Sequence, residues 1–253
     1  MNAKGLLIDL DGTLYVENAP IPGAREALLR LEAAGIPYRY VTNTTRKPRR
    51  EVVSRLRKLG FPAREDLVFA PAAAANAILA GKRCHALVAE ALFEDLADLV
   101  LAGTGPTEHV LVGDLGDGFD YTRLNRAFRL LVDGAGLVAL QRNRFWQEAD
   151  GPSLDAGPFV AALEYASGKT ATVVGKPEPT FFEAALQDLG LEAKDVAMVG
   201  DDAESDVAGA QRAGLQGIQV RTGKYRSGDR MGTTGEPDVE IESIARLPEI
   251  LGV

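Results

Sequence analysis

The sequence predicts an α/β protein: a Rossmann-like parallel sheet with helices on both faces, interrupted by a second α/β segment. Three observations predict it. Apolar runs of strand length alternate with helical periodicity along the 253-residue chain, as parallel sheets require because each crossover needs a helix. The middle of the chain repeats that alternation on its own, and the last third returns to the first pattern. Polar residues able to do chemistry fall at the C-terminal ends of the predicted strands, where open parallel sheets bind ligands.

The elements follow in order. Gly5 to Leu10 is an apolar run of strand length. Pro22 opens a helix with Ala24, Ala27, Leu28 and Leu31 at helical spacing, and Gly35 stops it. Pro37 to Thr42 reads as the next strand, and Pro48 to Leu59 as a basic amphipathic helix with Val52, Leu56 and Leu59 on one face. In the middle, 84–88, 109–112 and 137–140 read as strands. Tyr121 to Val132 and Pro158 to Ala166 read as helices, the first with Leu124, Phe128 and Leu131 inward. The last third gives strand Ala171–Val174, helix Pro179–Leu189, strand Val196–Val199, helix Glu204–Ala213 and strand Gly217–Val220. Thr222 to Pro237, rich in Gly, Ser, Thr, Asp and Arg, reads as a surface loop before a short C-terminal segment.

Composition removes several function classes. Apolar residues make up 46% and charged residues 25%, the balance of a folded globular chain. No apolar run approaches the roughly 20 residues that span a bilayer, and the first residues lead into a strand without a signal-peptide pattern. Cys84 is the only cysteine, so an internal disulfide is impossible. A cytoplasmic location is the expectation. The net charge of −8 argues against nucleic-acid and anionic-membrane partners, which attract basic surfaces. The two histidines, His85 and His109, sit in strand-like apolar stretches and read as structural. Carboxylates must carry the chemistry.

Four polar clusters lie at strand ends: Asp9 with Asp11, Thr42 with Asn43, Lys176, and Asp201 with Asp206. Each has an ordinary reading alone. Asp-Gly makes turns, Thr-Asn caps helices, Lys-Pro makes a surface turn, and an acidic run complements a helix dipole. Together, at the same end of one sheet, they describe a single site.

Asp9-Leu10-Asp11-Gly12-Thr13-Leu14 matches the D-x-D-G-T signature of the haloacid-dehalogenase superfamily, which the chain resembles. Thr42 matches its second motif, Lys176 its third and Gly200 to Asp206 its acidic fourth. Val41 to Thr45, Val174 to Pro177, Val220 to Tyr225, Gly157-Pro158-Phe159 and Ala162 to Ala166 narrow the resemblance to the subgroup with a large inserted α/β cap. That implies a catalytic core of residues 1–72 and 169–253, with a cap of residues 73–168 acting as a lid. The stretch Arg142 to Pro158, with Trp146, Asp150, Ser153 and Asp155, is either the part of the cap that meets substrate or a plain surface loop. Two positions depart from the pattern. Two relatives within the subgroup carry Ser at the Asp11 position, and many members of the superfamily carry Thr at the Ser205 position.

The resemblance implies a Mg2+-dependent phosphatase acting on a small phosphorylated compound through an aspartyl-phosphate. Asp9 would be the nucleophile and Asp11 the general acid/base. Asp9, Asp201 and the Asp11 carbonyl would bind the metal, a hard cation suited to oxygen ligands, with Asp206 behind them. Thr42, Asn43 and Lys176 would hold the phosphoryl oxygens. A phosphotransferase or phosphomutase of the same superfamily, and more remotely a phospho-acceptor receiver domain, use similar residues. Homodimerisation through the cap is a further implication.

Overall fold

The computed structural model describes residues 3–101, 105–148, 151–226 and 236–253. They form two compact units, one of Met1–Thr42, Arg49–Phe69 and Lys176–Val253, the other of Asn43–Pro48 and Ala70–Gly175.

The first unit is built on a six-stranded sheet. Its order is Val239–Ile241, Gln216–Val220, Val196–Gly200, Gly5–Asp9, Tyr38–Val41 and Val68–Phe69. Every pairing is parallel. Gly5–Asp9 lies inside the sheet, in register with Val196–Val199 on one side and Tyr38–Val41 on the other. Its five residues are all buried, because a parallel strand is covered on both faces. Leu6 and Ile8 join one core cluster with Leu28, Leu31, Val52, Val53 and Leu56 of the two flanking helices. Leu7 between them is equally buried but outside that cluster, as the two-residue period of a strand requires.

The helices form where the periodicity places them. Ala24–Ala33 buries Ala24, Ala27, Leu28 and Leu31, and Arg49–Lys58 buries Val52, Val53 and Leu56. Pro179–Leu189 begins with proline in its first turn and ends at Gly190 in the left-handed region. The expected helix Glu204–Ala213 differs in detail. A π-helical turn over Ala203–Ala208 leads into α-helix Gly209–Arg212. Its backbone packs so tightly on Pro177 that a Cβ on Gly209 would meet the Pro177 carbonyl oxygen at 2.9 Å. Short elements without periodicity, the hairpin Tyr15–Val16/Ala19–Pro20 and strand Val68–Phe69, are not expected from the sequence.

The second unit holds a five-stranded parallel sheet, ordered Thr172–Val173, Gly136–Ala139, His109–Val112, Arg83–Leu87 and Val100–Leu101. The strand before Lys176 therefore pairs with Gly136–Ala139, not with the sheet that carries Asp9. Local pattern gives a strand its period, while its partner is set by packing far along the chain. Helix Tyr121–Val132 is capped by Asp120, which accepts from the Arg123 amide at 2.7 Å. Ala127 and Leu131 are its buried residues, with Leu124 and Phe128 packed partly buried against them. Helix Ala156–Ser167 starts at Asp155 and ends at Gly168. Part of Arg142 to Pro158 is an antiparallel hairpin, Phe145–Glu148 with Gly151–Leu154. Asp150 lies outside the described residues. No helix of the described residues is long and apolar enough to cross a membrane.

Candidate active site

The central strand ends at Asp9, and its neighbour Val196–Gly200 delivers Asp201 beside it. Thr42 follows the strand on the other side and is buried, its amide donating to the Phe69 carbonyl at 3.3 Å. Lys176, also buried, donates from Nζ to Asp9 Oδ1 at 2.6 Å and to Asp206 Oδ1 at 2.7 Å. Asp206 sits on the π-helical turn, where its second oxygen accepts from the Asp202 amide at 3.2 Å. Asp201 Oδ2 accepts from the Lys224 amide at 2.6 Å. One carboxylate oxygen each from Asp9, Asp201 and Asp206 lies within 4.8 Å of the others.

Backbone packing makes that crowding possible. Gly12 has φ +88° and Gly223 φ +60°, and a Cβ on either would meet Asp201 Oδ2 at 2.0 Å. Two glycines in left-handed conformations thus let the chain close around one carboxylate. The Thr222 hydroxyl donates to the Gly12 carbonyl at 2.5 Å and joins the two loops.

Asp11 stands apart from the three acids. Its side chain is 65% exposed. The Tyr15 hydroxyl donates to its Oδ2 at 3.3 Å, and Arg55 Nη2 lies 3.6 Å from its Oδ1. Asn43 belongs to the second unit. There its Oδ1 faces Gly175, where a Cβ would approach within 3.0 Å.

Comparison with known proteins shows which family the chain is part of. A family model described as Haloacid dehalogenase-like hydrolase matches residues 6–101, and a HAD-hydrolase-like model matches 173–247. Human Haloacid dehalogenase-like hydrolase domain-containing protein 2 is 45% identical over 242 residues, 95% of this chain and 92% of the relative. The chain belongs to the haloacid dehalogenase-like hydrolase family. Rat phospholysine phosphohistidine inorganic pyrophosphate phosphatase is 40% identical over 256 residues, 98% of this chain and 94% of that protein. Among solved structures, p-nitrophenyl phosphatase from Archaeoglobus fulgidus matches with TM-score 0.89 and 28% identity, over 99% of this chain and 100% of that one. The fold is therefore the haloacid-dehalogenase core with an inserted α/β cap domain, and the chain is a hydrolase of this family.

The electrostatics of the acid cluster follow from burial. Removal from water raises Asp201 to about 6, opposed by the Lys224 amide, and raises Asp206 to about 7 despite Lys176. Burial also raises Asp9 against the pull of Lys176. Burial alone would discharge Lys176, but Asp206 and Asp9 outweigh it and hold the ammonium charged. Three buried carboxylates with a single lysine between them leave an excess of negative charge that a divalent cation would relieve. Hard oxygen donors are the set that Mg2+ prefers, so the residues fit that ion.

The sequence alone assigns no role to Lys224, whose ammonium lies 3.1 Å from Asp202 Oδ2, or to Tyr15 and Arg55. The left-handed glycines and the run Thr222-Gly223-Lys224 are the available signals. Asp202 caps the π-helical turn, accepting from the amides of Glu204 and Ser205 at 3.1 and 3.0 Å. A separate concavity of about 590 Å³, lined by Arg50, Arg57, Lys58 and Arg64, contains none of the clustered acids. Among the described residues His85 Nε2 and His109 Nδ1 are buried without a hydrogen-bond partner, and burial lowers both rings toward the neutral form.

Proposed function

We propose that this hydrolase is a Mg2+-dependent phosphatase that cleaves a small phosphorylated compound through an aspartyl-phosphate on Asp9. The observation that carries the reading is Lys176, buried and bonded at once to Asp9 and Asp206, with Asp201 in reach of both acids. Relatives named as phosphatases support the same class.

An Asp9 oxygen attacks phosphorus in line with the leaving group, forming the Asp9–phosphorus bond as the bond to the leaving oxygen breaks. Asp11 gives that oxygen a proton, then takes one from the water that attacks the aspartyl-phosphate. Inorganic phosphate departs and Asp9 is regenerated. Lys176 offsets charge on the phosphoryl group and steadies the Asp9 carboxylate. The Thr42 hydroxyl and the amide of Asn43 hold phosphoryl oxygens as fixed donors, each worth roughly 2.7–4 kcal/mol in comparable sites. Asp9, Asp201 and the Asp11 carbonyl would hold the metal, while Asp206 would orient Lys176 and a water at the site from behind. The bound ion supplies neutralisation of the phosphoryl charge.

The test is phosphate release from a panel of phosphate esters, phosphoramidates and pyrophosphate, with Mg2+ or EDTA and with Asp9→Asn as the blank. Turnover that needs Mg2+ and Asp9 supports the reading, and equal activity in Asp9→Asn overturns it. Added alcohols report phosphotransfer, since a transferase would give phosphorylated alcohol in place of phosphate. Homodimerisation through the cap and a cytoplasmic location belong to the same proposal. Tyr121 and Tyr165, on helices Tyr121–Val132 and Ala156–Ser167, are 82% and 94% exposed, and light scattering of the Tyr121→Arg/Tyr165→Arg variant tests the first.

A further inference from the structure

We infer that Arg55 and Tyr15 are positioning residues that fix the orientation of the Asp11 carboxylate, an inference resting on the acid/base reading of Asp11 above. Asp11 is set apart by its exposure. Its side chain is 65% exposed, and the packed cluster of Asp9, Asp201 and Asp206 does not include it. A short exposed side chain samples several rotamers, and proton transfer to a leaving oxygen is sensitive to misplacement by about 1 Å. Something must hold it.

Two groups do so, one on each carboxylate oxygen. The Tyr15 hydroxyl donates to Oδ2 at 3.3 Å, and the Arg55 guanidinium lies 3.6 Å from Oδ1. Tyr15 is itself fixed. It is buried, and its carbonyl accepts from the Gly12 amide at 2.7 Å across the tight turn after Asp11. Burial, then the nearby Asp11 charge, keeps its phenol protonated and able to donate. Arg55 is held from two further directions. Its guanidinium carbon lies 4.5 Å from the centre of the Tyr15 ring, and Nη2 donates to the Glu17 carbonyl at 2.7 Å. Glu17, at φ +51° in the hairpin turn, aims that carbonyl at Arg55.

An exposed ion pair contributes little to folding. One hydrogen bond and one ion pair meet on this carboxylate, while the stack on Tyr15 and the hydrogen bond to the Glu17 carbonyl hold Arg55 in place, and together they point to orientation. Arg55 projects from the basic helix Arg49–Lys58, so it reaches Asp11 from a segment remote in sequence. A planar guanidinium that stacks and donates at the same time is not replaced by lysine without loss.

The experiment uses a series of aryl phosphates from p-nitrophenyl to phenyl phosphate, whose leaving groups need increasing help from an acid. The quantity read is the dependence of kcat/KM on leaving-group pKa. Asp11→Ala steepens it. Arg55→Ala and Tyr15→Phe each steepen it part of the way, with kcat/KM for phenyl phosphate falling about tenfold relative to p-nitrophenyl phosphate. Arg55→Lys recovers part of the loss. In the Asp11→Ala background, Arg55→Ala adds no further steepening. An equal fall for every aryl phosphate, or a further steepening in the double variant, overturns the inference and leaves the Asp11 assignment standing. An unchanged slope in Asp11→Ala overturns that assignment and this inference together. If Arg55→Ala does not fold, Tyr15→Phe and Arg55→Lys decide the question by the same slope.

Discussion

Replacing Lys176 by methionine tests the electrostatic account of the site most sharply. The ammonium is 4% exposed and makes hydrogen bonds of 2.6 and 2.7 Å to two acids. Methionine keeps much of the volume but removes the charge, leaving Asp9 and Asp206 facing each other out of water. Breaking a buried ion pair by deleting one partner costs about 3–5 kcal/mol. In a protein of this size each kcal/mol is roughly 2–4 °C of Tm, so the variant should melt about 6–20 °C lower at pH 8. The loss should shrink at pH 5. Asp206, raised to about 7 even with Lys176 beside it, goes up further without it, and protonation then relieves the unpaired charge. Differential scanning fluorimetry of both proteins at pH 5 and pH 8, in EDTA, reads the difference directly. A fall under about 1 °C at pH 8, or a larger fall at pH 5 than at pH 8, refutes the argument.

Asp9→Asn should lower phosphate release at least about a thousandfold while the melting curve stays cooperative, since carboxamide cannot act as the nucleophile. Stability of metal-free protein should also respond to pH. Asp201 and Asp206 are raised to about 6 and 7 in the folded state, above their unfolded value. Their contribution is therefore full below the unfolded carboxylate pKa near 4 and lost as pH rises through 6 to 7. In the proposed site Mg2+ binds the ionised form of Asp201, so its gain in Tm should be larger at pH 8 than at pH 5; a gain independent of pH would argue against Asp201 as a ligand. Gly12→Ala places a Cβ 2.0 Å from Asp201 Oδ2 at φ +88°. It should cost about 1–3 kcal/mol of stability and weaken the Mg2+-dependent shift in Tm, both read in one fluorimetry series.

Much of this was legible in the chain because the signals were local. Gly5–Asp9 announced itself through the apolar residues Gly5 to Ile8, and Ala24, Ala27, Leu28 and Leu31 through one face of a helix; all four of these are buried. The acids at strand ends were readable because parallel topology fixes which end of each strand is shared. What stayed hidden depended on contacts distant in sequence. Thr172–Val173 has the pattern of any short parallel strand, and nothing in it names Gly136–Ala139 as its neighbour. Arg55 looked like one more cation on a basic helix until Tyr15 and Glu17 came to meet it. The hairpin Phe145–Glu148/Gly151–Leu154 lacked apolar alternation, so its residues read as turns. Lys224 acts on Asp201 through its backbone amide, which no side-chain motif records.

The placement of Gly5–Asp9 inside its sheet bears on how the protein is made. One flank is filled by Tyr38–Val41, close in the chain, but the other waits for Val196–Gly200, which follows the whole inserted unit. On the ribosome, Ala70–Gly175 emerges complete while the half-sheet made before it still presents an unpaired apolar edge, an invitation to wrong pairing. The insert can thus mature first and the six-stranded unit last. A nascent chain halted before Val196 would hold Asp9 on an open strand with neither Lys176 anchored by Asp206 nor Asp201 beside it. On the proposed mechanism such a chain has no chemistry until synthesis has passed the last acid.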